Sequence, residues 1–389
     1  MPAALIKPAV INPPAMLGML GGGQLGRFFV IAAHELGYQV TVLDPDQNSP
    51  AGKIADVHIC ANFDDAAALK KMAETCAAVS TEFENVPAKS LEMLALTTTV
   101  SPSAASVAIA QNRILEKNFI KDAGLPVAPF AVINSAADLP KDDNPLYPAI
   151  LKVARFGYDG KGQARVKNQA EALNAFAEFK NETCVLERMM ALDLEVSVVL
   201  ARDEQGNIAA FSTAENSHLN GILDISIVPA RCSEVLKANA QELAKKLAEK
   251  LDYVGVLGVE FFVVGKQLLV NEIAPRPHNS GHYTIDACVT NQFEQQVRVM
   301  TGLPLGDPSL HSNAVMVNIL GDSWFAGGNN KALEPAWNKA CSHANLKLHL
   351  YGKHEPRKAR KMGHFTVIGK NKQAALNVAL IARSQLNIG

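Results

Sequence analysis

VEFFVVGKQLLVNEIAPRPHNSGH, residues 259–282, is the stretch on which the reading of the whole chain turns. An apolar run interrupted by Glu260 reaches a short polar turn at Gly265-Lys266-Gln267 and returns through Leu268-Leu269-Val270 to Asn271-Glu272. Two β-rich runs joined by such a turn predict an antiparallel hairpin. Glu260 and Glu272 stand twelve positions apart on opposite arms, so pairing across the turn brings their carboxylates together. Two like charges on a largely apolar sheet repel unless a cation sits between them. Oxygen ligands select a hard divalent ion, and Mg2+ commonly shares its shell with phosphate oxygens. Beyond the hairpin come Arg276, His278, Asn279, Ser280 and His282, with two prolines stiffening the backbone. The pattern is that of a metal–phosphate site opening onto a polar pocket.

Working outward, 389 residues are enough for two or three domains. A formal net charge of -1 leaves no electrostatic footprint for nucleic acid or membrane surfaces, and 6% aromatic residues argue against base-stacking platforms. No apolar run is long enough to cross a bilayer. Six scattered cysteines without CxxC spacing read as free thiols of a reducing cytoplasm. The opening MPAALIKPAVINPPAM makes a poor signal peptide, and residues 1–14 read as a loosely ordered extension.

Met16–Leu20 predicts a buried strand, followed by Gly21-Gly22-Gly23-Gln24-Leu25-Gly26, a helix from about Arg27 to Leu36, and a strand at Gln39–Leu43 closing on Asp44-Pro45. This βαβ unit carries GxGxxG with an acid 18 residues beyond its last glycine, the fingerprint of a dinucleotide site. The same glycines serve any ligand that must approach the turn closely, including a phosphorylated substrate. Glu82-Phe83-Glu84 follows the strand Val79–Thr81, where open α/β sheets put ligands, or is simply a solvated loop.

Ser103–Ala123 reads as one or two helices, with Arg113 and Lys117 spaced i, i+4: a solvated face, or a reach toward a nucleotide. In the strand Ala149–Val153, Lys152 either snorkels to the edge or meets an anion. The loop from Arg155 to Gln163 is basic and glycine-punctuated, suited to covering a triphosphate with bare backbone N–H groups. The strands Cys184–Glu187 and Leu194–Leu200 carry Glu187 and Glu195, with Met189 and Met190 between them. These are either receivers of ribose and adenine or edge charges and core methionines. Glu234–Leu251 is an amphipathic helix, and Gln292–Met300 another. The last residues form a small α+β unit, in which the basic run Arg357–Lys361 precedes the strand Phe365–Val367 and is either a solvated face or a phosphate clamp.

Together the lysine strand, the glycine loop, the two-glutamate hairpin and Asn271-Glu272-Ile273-Ala274-Pro275-Arg276 resemble the ATP-grasp superfamily. Within it, the chain is most similar to the 5-(carboxyamino)imidazole ribonucleotide synthetase family, on Gly23-Gln24-Leu25-Gly26-Arg27, Tyr158-Asp159-Gly160-Lys161-Gly162-Gln163, His278-Asn279-Ser280-Gly281-His282 and Gly363-His364. The resemblance implies a Rossmann-like (pre-ATP-grasp) domain at 15–112, an ATP-grasp domain at 113–312 with a lid at about 124–190, and a C-terminal α+β domain at 313–389. It implies an ATP-dependent ligase of purine biosynthesis that phosphorylates bicarbonate to carboxyphosphate and carboxylates the exocyclic amine of aminoimidazole ribonucleotide. Mg2+, or Mn2+ in its place, would serve as cofactor, with neither biotin nor NAD, and the assembly would be a homodimer.

By the same resemblance Arg113 and Lys152 hold ATP phosphates beneath the loop Gly157, Tyr158, Asp159, Gly160, Lys161, Gly162 and Gln163. Glu187, Arg188, Met189 and Met190 match the adenine linker, Glu195 the ribose ligand and His218 a further nucleotide contact. Glu260 and Glu272 match the metal ligands, with Asn271 beside the triphosphate. Biotin-dependent relatives carry asparagine where this chain has Ala274, so water or phosphate must complete the metal shell. Gln24, Leu25, Tyr158, Asp159, Arg276, His278, Asn279 and Ser280 match the substrate pocket, and Lys353, Arg360 and Lys361 the grip on its phosphate. Lys152 and Arg276 neutralise charge as carboxyphosphate forms, and Asp159 or His278 accepts the amine proton. The rival ligase reading is a formate-dependent glycinamide ribonucleotide transformylase.

Overall fold

The protein is represented by a computed structural model that describes residues 10–155, 162–326 and 331–388. Gly157, Tyr158, Asp159, Gly160 and Lys161 of the expected phosphate loop therefore lie outside the described residues, as does most of the expected N-terminal extension.

Short apolar runs separated by helices give a parallel sheet at the N-terminus. Strands β1 (Met16–Leu20), β2 (Gln39–Leu43), β3 (Val57–Ile59), β4 (Ala78–Thr81) and β5 (Thr99–Val100) lie in the order β3-β2-β1-β4-β5. All four pairings are parallel. The first helix spans Gln24–Glu35 and so begins three residues earlier than the glycine run predicts. Gly23 is its cap, and the Arg27 N–H already donates to the Gly23 carbonyl at 3.0 Å. Segment 103–123 resolves into two helices, Ala104–Ala110 and Arg113–Asp122, with Asn112 capping the second.

A four-stranded antiparallel sheet follows, with β6 (Phe130–Ile133), β7 (Ala149–Val153), β8 (Gln163–Val166) and β9 (Cys184–Arg188) in the order β6-β9-β7-β8. The remaining strands form one large antiparallel sheet. They are β10 (Leu194–Arg202), β11 (Ile208–Ala210), β12 (Ala214–Leu219), β13 (Ile222–Val228), β14 (Gly255–Val264), β15 (Gln267–Ala274), β16 (Asn313–Leu320), β17 (Leu346–Leu350) and β18 (Lys361–Gly369). Their order is β15-β14-β10-β12-β13-β16-β18-β17, with β11 on β10. The C-terminal strands are thus not a sheet apart: β16 pairs with β13 and carries the central sheet onward.

Packing ties the segments together. Phe28 and Phe29 of the first helix share a core with Phe293, Val297 and Met300, and with Tyr351 from beyond β17. The helix Glu234–Lys250 buries Ala240, Ala244 and Leu247 against β10, β14 and β15. On the far part of the sheet, the helix Lys372–Gln385 buries Ala375, Ala379 and Ala382 against β16 and β18. The predicted hairpin is present as β14–β15, its two-residue loop led by Gly265 at φ 61°, a conformation that glycine reaches without a Cβ penalty.

Candidate active site

A cleft of 1440 Å³ draws on all three sheets. Gln24, Leu25, Arg113, Lys152, Gln163, Glu195, His218, Glu260, Asn271 and Glu272 line it, as do Arg276, His278, Asn279, Lys353, Arg360 and Lys361. Glu187 and Ser280 do not. Neither do Arg188, Met189 and Met190, which lie on the end of β9 and the segment leaving it, nor Gly162, whose carbonyl accepts the Val153 N–H at 2.8 Å.

Glu260 and Glu272 are direct cross-strand partners. The next pair is Phe261 with Val270, so Asn271 is an extra residue on β15, and such a bulge re-aims side chains. Asn271 Nδ2 donates to Glu260 Oε2 at 3.4 Å. Burial, and then the neighbouring Glu272, push the Glu260 carboxyl above its usual range. Arg113 Nη1 approaches Glu272 Oε2 at 3.5 Å. Two crowded carboxylates of which one is driven toward its proton are what a divalent cation relieves, and this all-oxygen pair fits Mg2+.

Lys152 meets an anion rather than snorkelling: its Nζ donates to Glu187 Oε1 at 2.8 Å. The second oxygen of Glu187 pairs with Lys117, which is itself buried, so the solvated-face reading fails for Lys117. Burial alone would raise the Glu187 carboxyl, but Lys152 and Lys117 hold it down at about 2. Glu187, expected to face adenine, is turned inward as the counter-ion of two lysines. Its neighbours in sequence cannot reveal this, because Lys117 arrives from a helix in another part of the chain. Glu195 and His218 form a second pair in the cleft, at 2.9 Å.

At the first glycine turn, Glu82 accepts hydrogen bonds from the Gly23 and Leu25 N–H groups, and Asp44 Oδ2 accepts one from Gly22 N–H at 2.7 Å. Asp44, the acid of the dinucleotide fingerprint, is thus bonded into the turn itself. The N–H groups of Gly22, Gly23 and Leu25 already have acceptors within the protein, and Gln24 turns its side chain to Lys353, whose Nζ donates to Gln24 Oε1 at 2.6 Å. Arg357, Lys358, Arg360 and Lys361 of the basic run all line the cleft, Arg357 and Lys358 while remaining exposed to solvent.

Residues 15–111 match the ribonucleotide synthetase preATP-grasp domain, 118–293 the ATP-grasp domain and 314–378 the phosphoribosylaminoimidazole carboxylase C-terminal domain. The chain is 44% identical to the N5-carboxyaminoimidazole ribonucleotide synthase of Bacillus subtilis over 361 residues, 92% of each chain. This chain belongs to the N5-carboxyaminoimidazole ribonucleotide synthase family of ATP-grasp ligases. A family member from Brucella melitensis is 43% identical, covering 92% of this chain and 97% of its own. Among solved structures, an ADP complex of an N5-carboxyaminoimidazole ribonucleotide synthetase superposes with a TM-score of 0.89 at 40% identity, covering 96% of this chain and 97% of that one. A synthase from Aspergillus clavatus, in complex with ADP and 5-aminoimidazole ribonucleotide, gives 0.85 at 32% identity, covering 96% and 98%.

In this member of the synthase family, two further acids serve the cleft: Glu84, from the acidic tripeptide placed where open sheets put ligands, and Glu116, which the sequence did not single out. Glu84 Oε2 accepts from Arg276 Nε at 2.5 Å, and although burial works against it, Arg276 holds its carboxyl at about 2. Glu116 accepts the Ile273 N–H at 2.6 Å, and burial and then Glu272 push it up to about 8. Its signal was weak: an acid three residues beyond Arg113 on an otherwise amphipathic helix. Burial, and then Arg276, drive His278 down to about 3, so the imidazole is neutral. Its Nδ1 lies 2.8 Å from Ser280 Oγ, which in turn meets Ser197 Oγ at 2.7 Å, so Ser280 orients His278 from behind. Asn279 is buried on the cleft wall, and both polar atoms of its side-chain amide lack a hydrogen-bond partner within the protein.

Proposed function

We propose that this enzyme activates bicarbonate with ATP and passes the carboxyl group to the exocyclic amine of 5-aminoimidazole ribonucleotide, releasing ADP and phosphate. The observation that carries the reading is the single cleft holding both a crowded carboxylate pair and a basic run. The pair would hold Mg2+ against nucleotide phosphates, and Lys353, Arg360 and Lys361 would hold the phosphate of the ribonucleotide. When bound at Glu260 and Glu272, the metal supplies charge neutralisation for phosphoryl transfer.

The chain's own residues do the rest. Bicarbonate oxygen attacks the γ-phosphorus and ADP leaves, giving carboxyphosphate. Because two anions are joined, cationic side chains must be fixed beforehand, and Arg276 is fixed by Glu84. Arg113 and Lys152 would flank the triphosphate, and Glu195 and His218 the sugar, while Glu187, held between Lys117 and Lys152, would act on the nucleotide only through Lys152. The amine then attacks the carboxyl carbon, phosphate leaves, and the amine gives up a proton. Burial, and then Arg276, keep His278 neutral, so it can hydrogen-bond the nucleotide, and either His278 or Asp159 takes the amine proton. Gln24, Leu25 and Asn279 would orient the aminoimidazole nucleotide, and the loop that includes Tyr158 and Lys161 would shield carboxyphosphate from water.

The working unit we infer is a cytoplasmic homodimer; the six unpaired cysteines support a reducing compartment. Bicarbonate against formate as cosubstrate, in a turnover assay with each candidate ribonucleotide, tests the substrate. Turnover with formate and glycinamide ribonucleotide would replace this reading with that of the sister ligase.

A further inference from the structure

His349 on β17 and His364 on β18 are direct cross-strand partners, so their rings share one face and stack with centroids 4.7 Å apart. Asp286, from the short helix Thr284–Ala287, reaches this pair from the central part of the chain, its Oδ2 lying 2.8 Å from His349 Nε2. One donor atom from each of the three residues lies within 4.8 Å of the others. His364 is fully buried and its Nε2 has no hydrogen-bond partner, while its Nδ1 lies 3.0 Å from Tyr351 Oη. Beside it His282, also fully buried, has its ring centroid 4.8 Å from that of His364 and an unpartnered Nε2 of its own. Two orphaned imidazole nitrogens in one buried spot call for an occupant.

We propose that Asp286, His349 and His364 form a second cation site, one that takes a borderline divalent ion such as Zn2+ and fastens the C-terminal strands to the central part of the chain. Two imidazoles and a carboxylate are the donor set of such ions, whereas the all-oxygen pair Glu260 and Glu272 suits Mg2+. Tetrahedral zinc with bonds of about 2.0 Å sets its ligands about 3.3 Å apart, so the widest pair here closes by about 1.5 Å. The His349–Asp286 hydrogen bond gives up its proton to solvent as the ion enters. Tyr351 on the other nitrogen of His364 is the outer partner that fixes a ligating ring. Burial keeps His364 and His282 neutral, with lone pairs available. Asp286 and His349 are only partly buried, which leaves a path for the ion.

The test uses the full chain, purified without a histidine tag, stripped with chelator and titrated with Zn2+ or Co2+ in excess Mg2+. Metal content and the visible Co2+ spectrum are read for the wild type and for Glu272→Gln, Asp286→Asn and His349→Ala. We expect one ion per chain in the wild type and in Glu272→Gln, with a rise in Tm, and affinity lowered at least about tenfold in Asp286→Asn and His349→Ala. Absence of stoichiometric binding by the wild type, or equal binding by the two site variants, would overturn the proposal and leave a water-filled hydrogen-bond network. His364→Ala is avoided because that side chain is fully buried and its loss could unfold the chain.

Discussion

At the scale of single residues, the cleft is run by pairs of charges whose partners come from distant parts of the chain. Glu187 is the sharpest case, a buried carboxylate between Lys117 and Lys152. Removing its charge leaves two buried ammonium groups facing each other, so Glu187→Gln should cost about 3 to 5 kcal/mol in urea unfolding. The pH dependence follows from the sign of the shift. Glu187 and Glu84 are both held at about 2 against an ordinary value near 4.5, so their stabilisation is present above 4.5 and lost as pH falls from there toward 2. Denaturation midpoints should drop across that window, and less steeply in Glu187→Gln. Glu272→Gln should lower ATP turnover at least on the order of 100-fold with the circular dichroism spectrum unchanged. Unchanged turnover would remove the metal role from Glu272.

At the scale of elements, the β14–β15 hairpin could be read directly, because its turn and its two apolar arms are local signals. The register that sets Glu260 opposite Glu272 followed from the same spacing, whereas the bulge at Asn271 did not, since nothing in the residue order marks it. The first glycine turn shows the opposite limit. Its GxGxxG spacing is that of an anion site, yet Glu82 from the end of β4 occupies the turn's N–H groups. Only the fold brings those two segments together. Close packing still explains its last glycine: a Cβ on Gly26 would lie 2.5 Å from the Gly21 carbonyl oxygen. Gly26→Ala should therefore force the helix Gln24–Glu35 off β1, at about 1 to 3 kcal/mol. It should raise KM for the aminoimidazole nucleotide more than KM for ATP, which steady-state kinetics can separate. A similar clash awaits Gly258→Ala, whose Cβ would lie 2.7 Å from that of His278.

For the whole molecule, the cleft exists only because three sheets converge, and the C-terminal strands extend the largest of them instead of forming a sheet of their own. That continuity was hidden in the sequence, where the C-terminal segment reads as an independent unit; strand pairing between β13 and β16 is a long-range choice that no local pattern encodes. A chain ending before β16 should consequently expose the β13 edge and the apolar face that Val315, Val317 and Ile319 cover. It should aggregate rather than survive as a smaller ATPase, as size-exclusion chromatography would show. The central claim concerns the chemistry this shared cleft performs. Its most direct test is phosphate release from Mg-ATP at controlled bicarbonate, with and without 5-aminoimidazole ribonucleotide. The account predicts release that requires both the nucleotide and bicarbonate; release indifferent to the nucleotide would contradict it.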